Sequence, residues 1–355
     1  MAYTDIDDPS AYFQATTYTG GGANTEVTNG GNSDLKPDFL WIKNRTAAYG
    51  HFVVDSNRNI SYAQNSSNAP YLETESTAAE NNNQNWMASV NTNGFTTGIS
   101  EHINNNSGSA FVAWQWKANG GTTASNTEGN VTNTLQVNQD AGFSISKFTS
   151  ASSGNTTIGH GLGVTPDVFI TKIASGTSGW WVNHKGLTNQ SDKYLGLNVT
   201  QAVGTVSWGA APTSTLITMA PAFIGNGTTT VMCYAFAEKQ GYSKFGKYVG
   251  NGTSGTDGTF IYTGFKPAWV MTKRASSADA WVIYDNKRDT FNPENNYLLA
   301  NTAAAEATTA NWDFVSNGFK SRTGNSQGAS GVTFIYMAFA ENPFVTSTGI
   351  PTTAR

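Results

Sequence analysis

Two aspartates come closest to a catalytic pattern in residue type and spacing. Asp55 and Asp285 each precede an arginine by three residues, Arg58 and Arg288. Paired carboxylates can catalyse glycoside hydrolysis, one as the acid and the other as the base or nucleophile. The same spacing also suits an ion pair that pins a loop. We favour this structural pair, because the corresponding segment 183–185 has no acidic residue and a required acid would not be missing there.

No other combination of residues matches a catalytic or metal-binding motif. The chain has no HxH or HExxH spacing, which disfavours a zinc site, and no Gly-x-Ser-x-Gly elbow, which disfavours a serine hydrolase. Calcium binding by Asp5, Asp7 and Asp8 stays an open alternative, although the EF-hand pattern is absent. We therefore predict a protein that is not an enzyme and that has no catalytic residues, no metal site and no cofactor.

Aromatic side chains are the better candidates for binding a ligand. They form 12% of the chain, which is enough to supply both a core and a binding surface. An exposed ring beside asparagine or glutamine could stack on a sugar. Four aromatic residues are our candidate glycan-binding residues: Tyr62, Tyr71, Trp180 and Trp181. The alternative for each of them is a buried ring that fills the core.

The elements that would position these residues occur three times along the chain. A proline-containing opening segment lies at 36–45, 165–172 and 266–274. An apolar and aromatic closing segment lies at 110–118, 231–238 and 334–341. A repeat of this length indicates a whole domain and not a solenoid unit.

The short apolar runs and the turn-forming residues between them predict an all-β fold. We expect three tandem homologous β-sandwich domains of jelly-roll or lectin-like type. The predicted boundaries are an N-terminal segment with copy one at 1–118, a linker at 119–142, copy two at 143–240, copy three at 241–345 and an extended tail at 346–355. The closing segment of copy three is apolar on both faces, so we expect a central strand that is covered on both sides.

Composition narrows the classes of protein that the chain could represent. Charged residues make up only 12% of it, about half the usual share, so its surface must consist largely of uncharged polar residues. The net charge of −4 and the lack of a Lys/Arg cluster disfavour nucleic-acid binding. We find no apolar run long enough for membrane insertion and no signal peptide. The single cysteine, Cys233, lies in an apolar strand and is expected to be buried.

Several of these segments resemble repeat modules of marine bacteriophage virion proteins, including those of cyanophages. The resemblance is carried by the opening 7–20, the segment 36–45, the landmark 93–95, the closing 114–118 and the ending 339–344 with 352–355. It covers nearly the whole chain and is weakest in copy two. The resemblance implies a place on the virion exterior, at the tail or the head surface, and it brings no catalytic residues.

The combined expectation is a phage virion structural protein, namely a tail-fibre or appendage component that presents β-sandwich modules for host attachment. A capsid decoration protein is the alternative, and a glycan-degrading tailspike-type enzyme is a weaker one. The expected partners are other virion proteins, further copies of the chain with a trimer favoured, and a host surface glycan.

Overall fold

The computed structural model describes residues 4–58, 70–82, 86–100, 102–104 and 107–352, and it is almost entirely β. Strands account for 45% of the structure and helices for 4%, which confirms the predicted all-β class. The described helices are one α-helical turn, α1 (Pro221–Ile224), and three 3₁₀ turns at Pro9–Ala11, Gly255–Asp257 and Ser326–Gly328. None of the described helices is long and apolar enough to cross a membrane.

Copy one forms a four-stranded and a three-stranded sheet. Its described strands are β1 (Phe13–Thr19), β2 (Thr25–Thr28), β3 (Phe39–Asn44), β4 (Phe52–Asp55), β5 (Met87–Asn91), β6 (Gly94–Thr97) and β7 (Ala110–Trp116). The strand orders are β1-β7-β3-β4 and β2-β6-β5.

Copy two extends the same plan to eight strands and adds a separate two-stranded sheet. Its strands are β8 (Ala124–Asn126), β9 (Asn133–Asn138), β10 (Phe143–Thr149), β11 (Thr156–Gly159), β12 (Val168–Ile173), β13 (Trp180–His184), β14 (Lys193–Gly196), β15 (Gly204–Thr205), β16 (Leu216–Met219) and β17 (Thr230–Phe236). The strand orders are β15-β14-β13-β12-β17-β10-β9-β8 and β11-β16.

Copy three folds into one eight-stranded sheet. Its strands are β18 (Ser243–Val249), β19 (Phe260–Tyr262), β20 (Phe265–Arg274), β21 (Trp281–Asp285), β22 (Glu294–Leu299), β23 (Ala307–Val315), β24 (Gly318–Ser321) and β25 (Thr333–Pro343). The strand order is β18-β25-β20-β21-β22-β23-β24-β19. The sheet is a nearly closed barrel. Its two edges approach each other, and the Thr259 hydroxyl beside β19 donates to the carbonyl of Val249 in β18 at 3.3 Å.

Each copy contains the same four antiparallel strands, which we call its inner sheet. The orders are β1-β7-β3-β4, β10-β17-β12-β13 and β18-β25-β20-β21. Residues of the three inner sheets meet in a single buried cluster, the central core. Each copy also has a second, smaller cluster on the other side of its inner sheet.

The closing strand of each inner sheet is covered on both faces, as expected for copy three. In β25, Ile335, Met337 and Phe339 point into the central core. Phe334 and Tyr336 point into the cluster that belongs to copy three alone. The strands β7 and β17 alternate in the same way. The copies therefore share one core in addition to the core that each encloses.

Two boundary predictions do not hold. The predicted linker at 119–142 contains β8 and β9, and β9 pairs with β10, for example Val137 with Ser144. The low-complexity segment thus completes the free edge of the copy-two sheet. The predicted extended tail instead bends back: Thr346 donates its N–H to the carbonyl of Ile350 at 2.9 Å, and Asp7 accepts the N–H of Ser347 at 2.6 Å. Residues 353–355 of this tail lie outside the described part of the chain.

Candidate functional site: a ring of contacts between the copies

The predicted pair of Asp55 and Arg58 is in contact and fully enclosed. Arg58 Nε donates to Asp55 Oδ2 at 2.6 Å, and the side chains are 1% and 0% exposed. Asp55 Oδ1 accepts the backbone N–H groups of Asn57 and Arg58 at 3.1 and 3.0 Å. The guanidinium also donates to the carbonyl of Val53 at 3.1 Å. The carboxylate therefore pins the turn after β4.

Copy three repeats this arrangement. Arg288 Nε donates to Asp285 Oδ2 at 2.7 Å, and the Arg288 N–H donates to Oδ1 at 3.0 Å. The guanidinium contacts the carboxylate through Oδ2, while Oδ1 accepts the backbone N–H groups of Lys287 and Arg288. Burial opposes the charge of Arg288, but the adjacent carboxylates of Asp285 and Glu306 outweigh it and raise its pKa. Neither aspartate is open to a substrate.

Each of these aspartates also accepts a hydrogen bond from another copy. The Tyr234 hydroxyl of copy two donates to Asp55 Oδ2 at 2.7 Å. The Trp114 Nε1–H of copy one donates to Asp285 Oδ2 at 2.9 Å. Both donors lie on closing strands.

His184 takes the equivalent position in copy two. It pairs with Val168 as Asp55 pairs with Phe39, so it ends the same inner strand. Its Nδ1 accepts the N–H of Gly186 at 2.9 Å, so Nε2 carries the proton and donates to the carbonyl of Tyr336 in copy three at 3.0 Å. Burial lowers the pKa of His184 to about 4, and the ring is neutral.

A lysine at one equivalent position in each opening strand makes a second set of contacts. The lysines are Lys43, Lys172 and Lys273, each with 0% exposure. Every Nζ donates to the carbonyl of the following residue. Every Nζ also donates to a carbonyl of another copy at 3.2, 3.3 and 3.1 Å, those of Ala303, Thr77 and Thr200 respectively. Burial lowers the pKa of each lysine to about 8.

Ring N–H groups at the other end of the inner strands make a third set. Trp180 Nε1 donates to the carbonyl of Glu73 at 2.8 Å, and Trp281 Nε1 donates to that of Gly196 at 2.8 Å. In copy one the donor is His51, whose Nε2 lies 2.9 Å from the carbonyl oxygen of Leu299. Its Nδ1 accepts from the Trp41 indole at 2.8 Å, which fixes the proton on Nε2. Burial lowers the pKa of His51 to about 3.

All three sets run in the same direction around the molecule. In the first set, the closing strand of copy two meets the strand end of copy one, that of copy one meets copy three, and that of copy three meets copy two. The lysines and the ring N–H groups reach from copy to copy in the same order. Head-to-tail contacts of this kind close into a ring when the rotation between units permits it, and here the ring closes within one chain. We call these contacts the interface ring. These contacts hold the copies together, since their polar groups are hydrogen-bonded to one another.

The lysines of the interface ring were missed as functional residues. A lysine that recurs inside an otherwise apolar strand is a usable signal, because lysine is almost never fully buried unless it is paired. The carbonyl partners carry no such signal, because every residue has a carbonyl group.

The candidate glycan-binding rings are mostly closed to a ligand. Trp180 is 1% exposed in the central core, and Tyr71 is 3% exposed and stacks on Trp86 at 4.3 Å. Both are thus corrected from surface platforms to core residues. Trp181 is partly buried and packs edge-on against Tyr194 at 5.4 Å. Tyr62 lies outside the described residues. Within the described ranges, no group of three His, Cys, Asp or Glu side chains is placed to hold a metal ion.

Fold and contacts together define an all-β protein in which three four-stranded inner sheets pack around one shared core. The chain belongs to the family called domain of unknown function DUF7483, whose model matches residues 8–343. The matched residues include all three copies and every residue of the interface ring. No curated protein and no solved structure is significantly similar to the chain.

Proposed function

We propose that the chain is a non-enzymatic structural protein of a virus particle, a tail-fibre or appendage component that presents a rigid body toward the host surface. The observation that carries this proposal is the interface ring. Its buried aspartates, lysines and aromatic N–H groups hydrogen-bond the copies to one another. Such contacts give the rigid body that a structural protein needs. The resemblance of the sequence to marine phage virion modules supports the location.

We further propose that the three copies are homologous units derived from one β-sandwich module. The common order of the inner sheets supports this, as does the recurrence of a ring contact at matching positions such as Lys43, Lys172 and Lys273. A trimer of the whole chain stays a prediction. The interface ring does not require it, because each copy already uses its contact surfaces within the chain.

The location is tested on purified phage particles produced by the host strain that carries the gene. Gold-labelled antibody against the chain is expected at the tail or an appendage. Labelling over the head would support the capsid decoration alternative instead. Absence of the chain from the particles, measured by mass spectrometry, would contradict both.

The glycan-degrading alternative is tested separately. Its candidate carboxylates, Asp55 and Asp285, are held in buried ion pairs, so we expect no new reducing ends when the chain is incubated with host surface polysaccharide. Release of reducing ends that persists in a highly purified sample would contradict a purely structural role.

A further inference from the structure

One corner of the inner sheet differs in copy three. Copies one and two carry Asp38 and Asp167 just before β3 and β12, and copy three carries Ala268 at the equivalent position, within β20. The three positions are equivalent, because each carbonyl accepts the N–H of the residue that follows β4, β13 or β21, at 2.8, 2.7 and 3.0 Å. Those following residues are Ser56, Lys185 and Asn286.

In copies one and two the aspartate occupies this corner. Asp38 Oδ2 accepts the N–H groups of Ala118 and Gly120 at 2.7 and 2.8 Å, and Oδ1 accepts from the Ser56 hydroxyl at 2.8 Å. Asp167 Oδ2 accepts the N–H of Glu238 at 2.7 Å, and its Oδ1 lies 3.1 Å from Lys185 Nζ. The side chain that follows the inner strand thus reaches a carboxylate in both copies.

In copy three the carboxylate is missing and a cleft lies there. The cleft has a volume of about 240 Å³ and lies between copies one and three. Ala268 lines it together with Asn286, which is 9% exposed. The Asn286 Oδ1 is buried and has no hydrogen-bond partner. Buried polar groups are nearly always paired, so an unpaired one suggests a missing partner. A ligand in the cleft could be that partner and donate a hydrogen bond to Asn286 Oδ1.

The charge of the lining favours an anion. Glu341 on the wall is neutralised by Lys266, whose Nζ lies 2.6 Å away. Lys287 also lines the cleft, is exposed and has no ion pair among the described residues. Asn32 and Asn342 line it as well, and they can hydrogen-bond to hydroxyl groups.

We propose that this cleft binds the carboxylate of an acidic sugar in place of the missing aspartate. The Asn286 Nδ2 donates to the carboxylate, its Oδ1 accepts from a neighbouring sugar hydroxyl, and Lys287 supplies the charge. The inference rests on the proposed attachment role in one respect: that role identifies a host surface polysaccharide as the source of the acidic sugar.

The test is a titration of the purified full chain with glucuronate, followed by NMR or calorimetry. We expect a dissociation constant on the order of 1 mM, as for a small polar ligand at a single site. Glucose and the methyl ester of glucuronate, which lack the carboxylate charge, are expected to bind at least about tenfold more weakly.

Substitutions then locate the site. Ala268→Asp should weaken glucuronate binding at least about tenfold, because it supplies the carboxylate that copies one and two already carry. Lys287→Gln should weaken it about three- to tenfold. Lys247→Gln, which removes an exposed lysine outside the cleft, is the matched control and should change nothing.

Three results would overturn the proposal: no binding of glucuronate to the natural chain at tens of millimolar, equal binding of glucose and glucuronate, or unchanged binding to both variants. If Ala268→Asp does not fold, Lys287→Gln decides alone. If glucuronate does not bind but the chain is found on the particles, only the proposed ligand is wrong. If glucuronate binds but the chain is absent from the particles, only the proposed virion location is wrong.

Discussion

Copies one and three hold the end of an inner strand with a buried Asp–Arg pair, whereas copy two holds it with a neutral histidine. In all three copies this residue hydrogen-bonds to the closing strand of a different copy. The contact is therefore kept while its chemistry changes. An acid required for catalysis in every copy would not tolerate this exchange, but a position that joins two copies does. Copy two therefore differs from the other copies in the residue that makes this contact, and not in the contact itself.

The largest expected effect comes from breaking a buried pair. Asp285→Ala leaves Arg288 enclosed without its carboxylate and removes the acceptor of Trp114, so we expect the free energy of unfolding to fall by about 3–5 kcal/mol. Urea unfolding measures this change. The matched control is Asp313→Ala, which breaks a more exposed pair with Arg322 and should cost about 1 kcal/mol or less. Equal losses in the two variants would contradict the role of Asp285.

The buried histidine of copy two should make the stability of the chain sensitive to acid. The folded-state pKa of His184 is lowered to about 4 from 6.5, so the folded protein binds fewer protons and loses stability as pH falls from about 6.5 toward 4. His184→Gln should remove about 1–3 kcal/mol of this pH dependence. The slope of unfolding free energy against pH measures it. An unchanged slope would indicate that His184 is already charged in the folded state.

Copy three encloses a further acid, Glu294, near the charges of its Asp285–Arg288 pair. Glu294 is 3% exposed, and its Oε2 has no hydrogen-bond partner. Burial, with the charges of Asp289 and Asp285, raises its pKa to about 9. Stability should therefore fall as pH rises from about 4.5 toward 9. Glu294→Gln should raise the free energy of unfolding at pH 8 by about 1–2 kcal/mol, measured in urea. A loss of stability there would mean that the carboxylate is ionised and paired.

The smallest expected effect concerns the second carboxylate partner of each buried arginine, Glu306 beside Arg288 and Glu80 beside Arg58. Glu306 Oε2 lies 3.0 Å from Arg288 Nη1 and its Oε1 lies 2.8 Å from Arg45 of copy one, whereas Glu80 Oε2 lies 3.6 Å from Arg58 Nη1. Glu306→Gln should cost about 1–2 kcal/mol and Glu80→Gln less than about 1 kcal/mol. Thermal unfolding of the two variants compares them. A larger loss for Glu80→Gln would reverse the ranking.

The sequence predicted the strands and the local pairs better than the assembly of the copies. Alternation in β25 identified a strand covered on both faces, and the spacing of Asp55 and Arg58 identified residues that are in contact. The contacts between copies could not be predicted, because their acceptors are mostly backbone carbonyls. The burial of Trp180 was predictable in principle, since aligning the strand ends places it with His51 and Trp281 at the same position in all three copies.

The predicted linker failed for a related reason. Composition at 119–142 indicated a loop, but the segment lies beside an inner sheet whose edge strand β10 offers unpaired backbone groups. Pairing with β9 satisfies them, as buried or edge backbone groups require. Such pairing depends on tertiary position, which local composition does not report.

The central claim is that the three copies form one cooperative body through the interface ring. Hydrogen exchange measured over a range of urea concentrations tests it most directly, because it reports the opening of each closing strand separately. The account predicts that β7, β17 and β25 lose protection together at one urea concentration, and that Asp285→Ala shifts all three equally. Loss of protection at three separate concentrations, or a shift confined to β25, would contradict it.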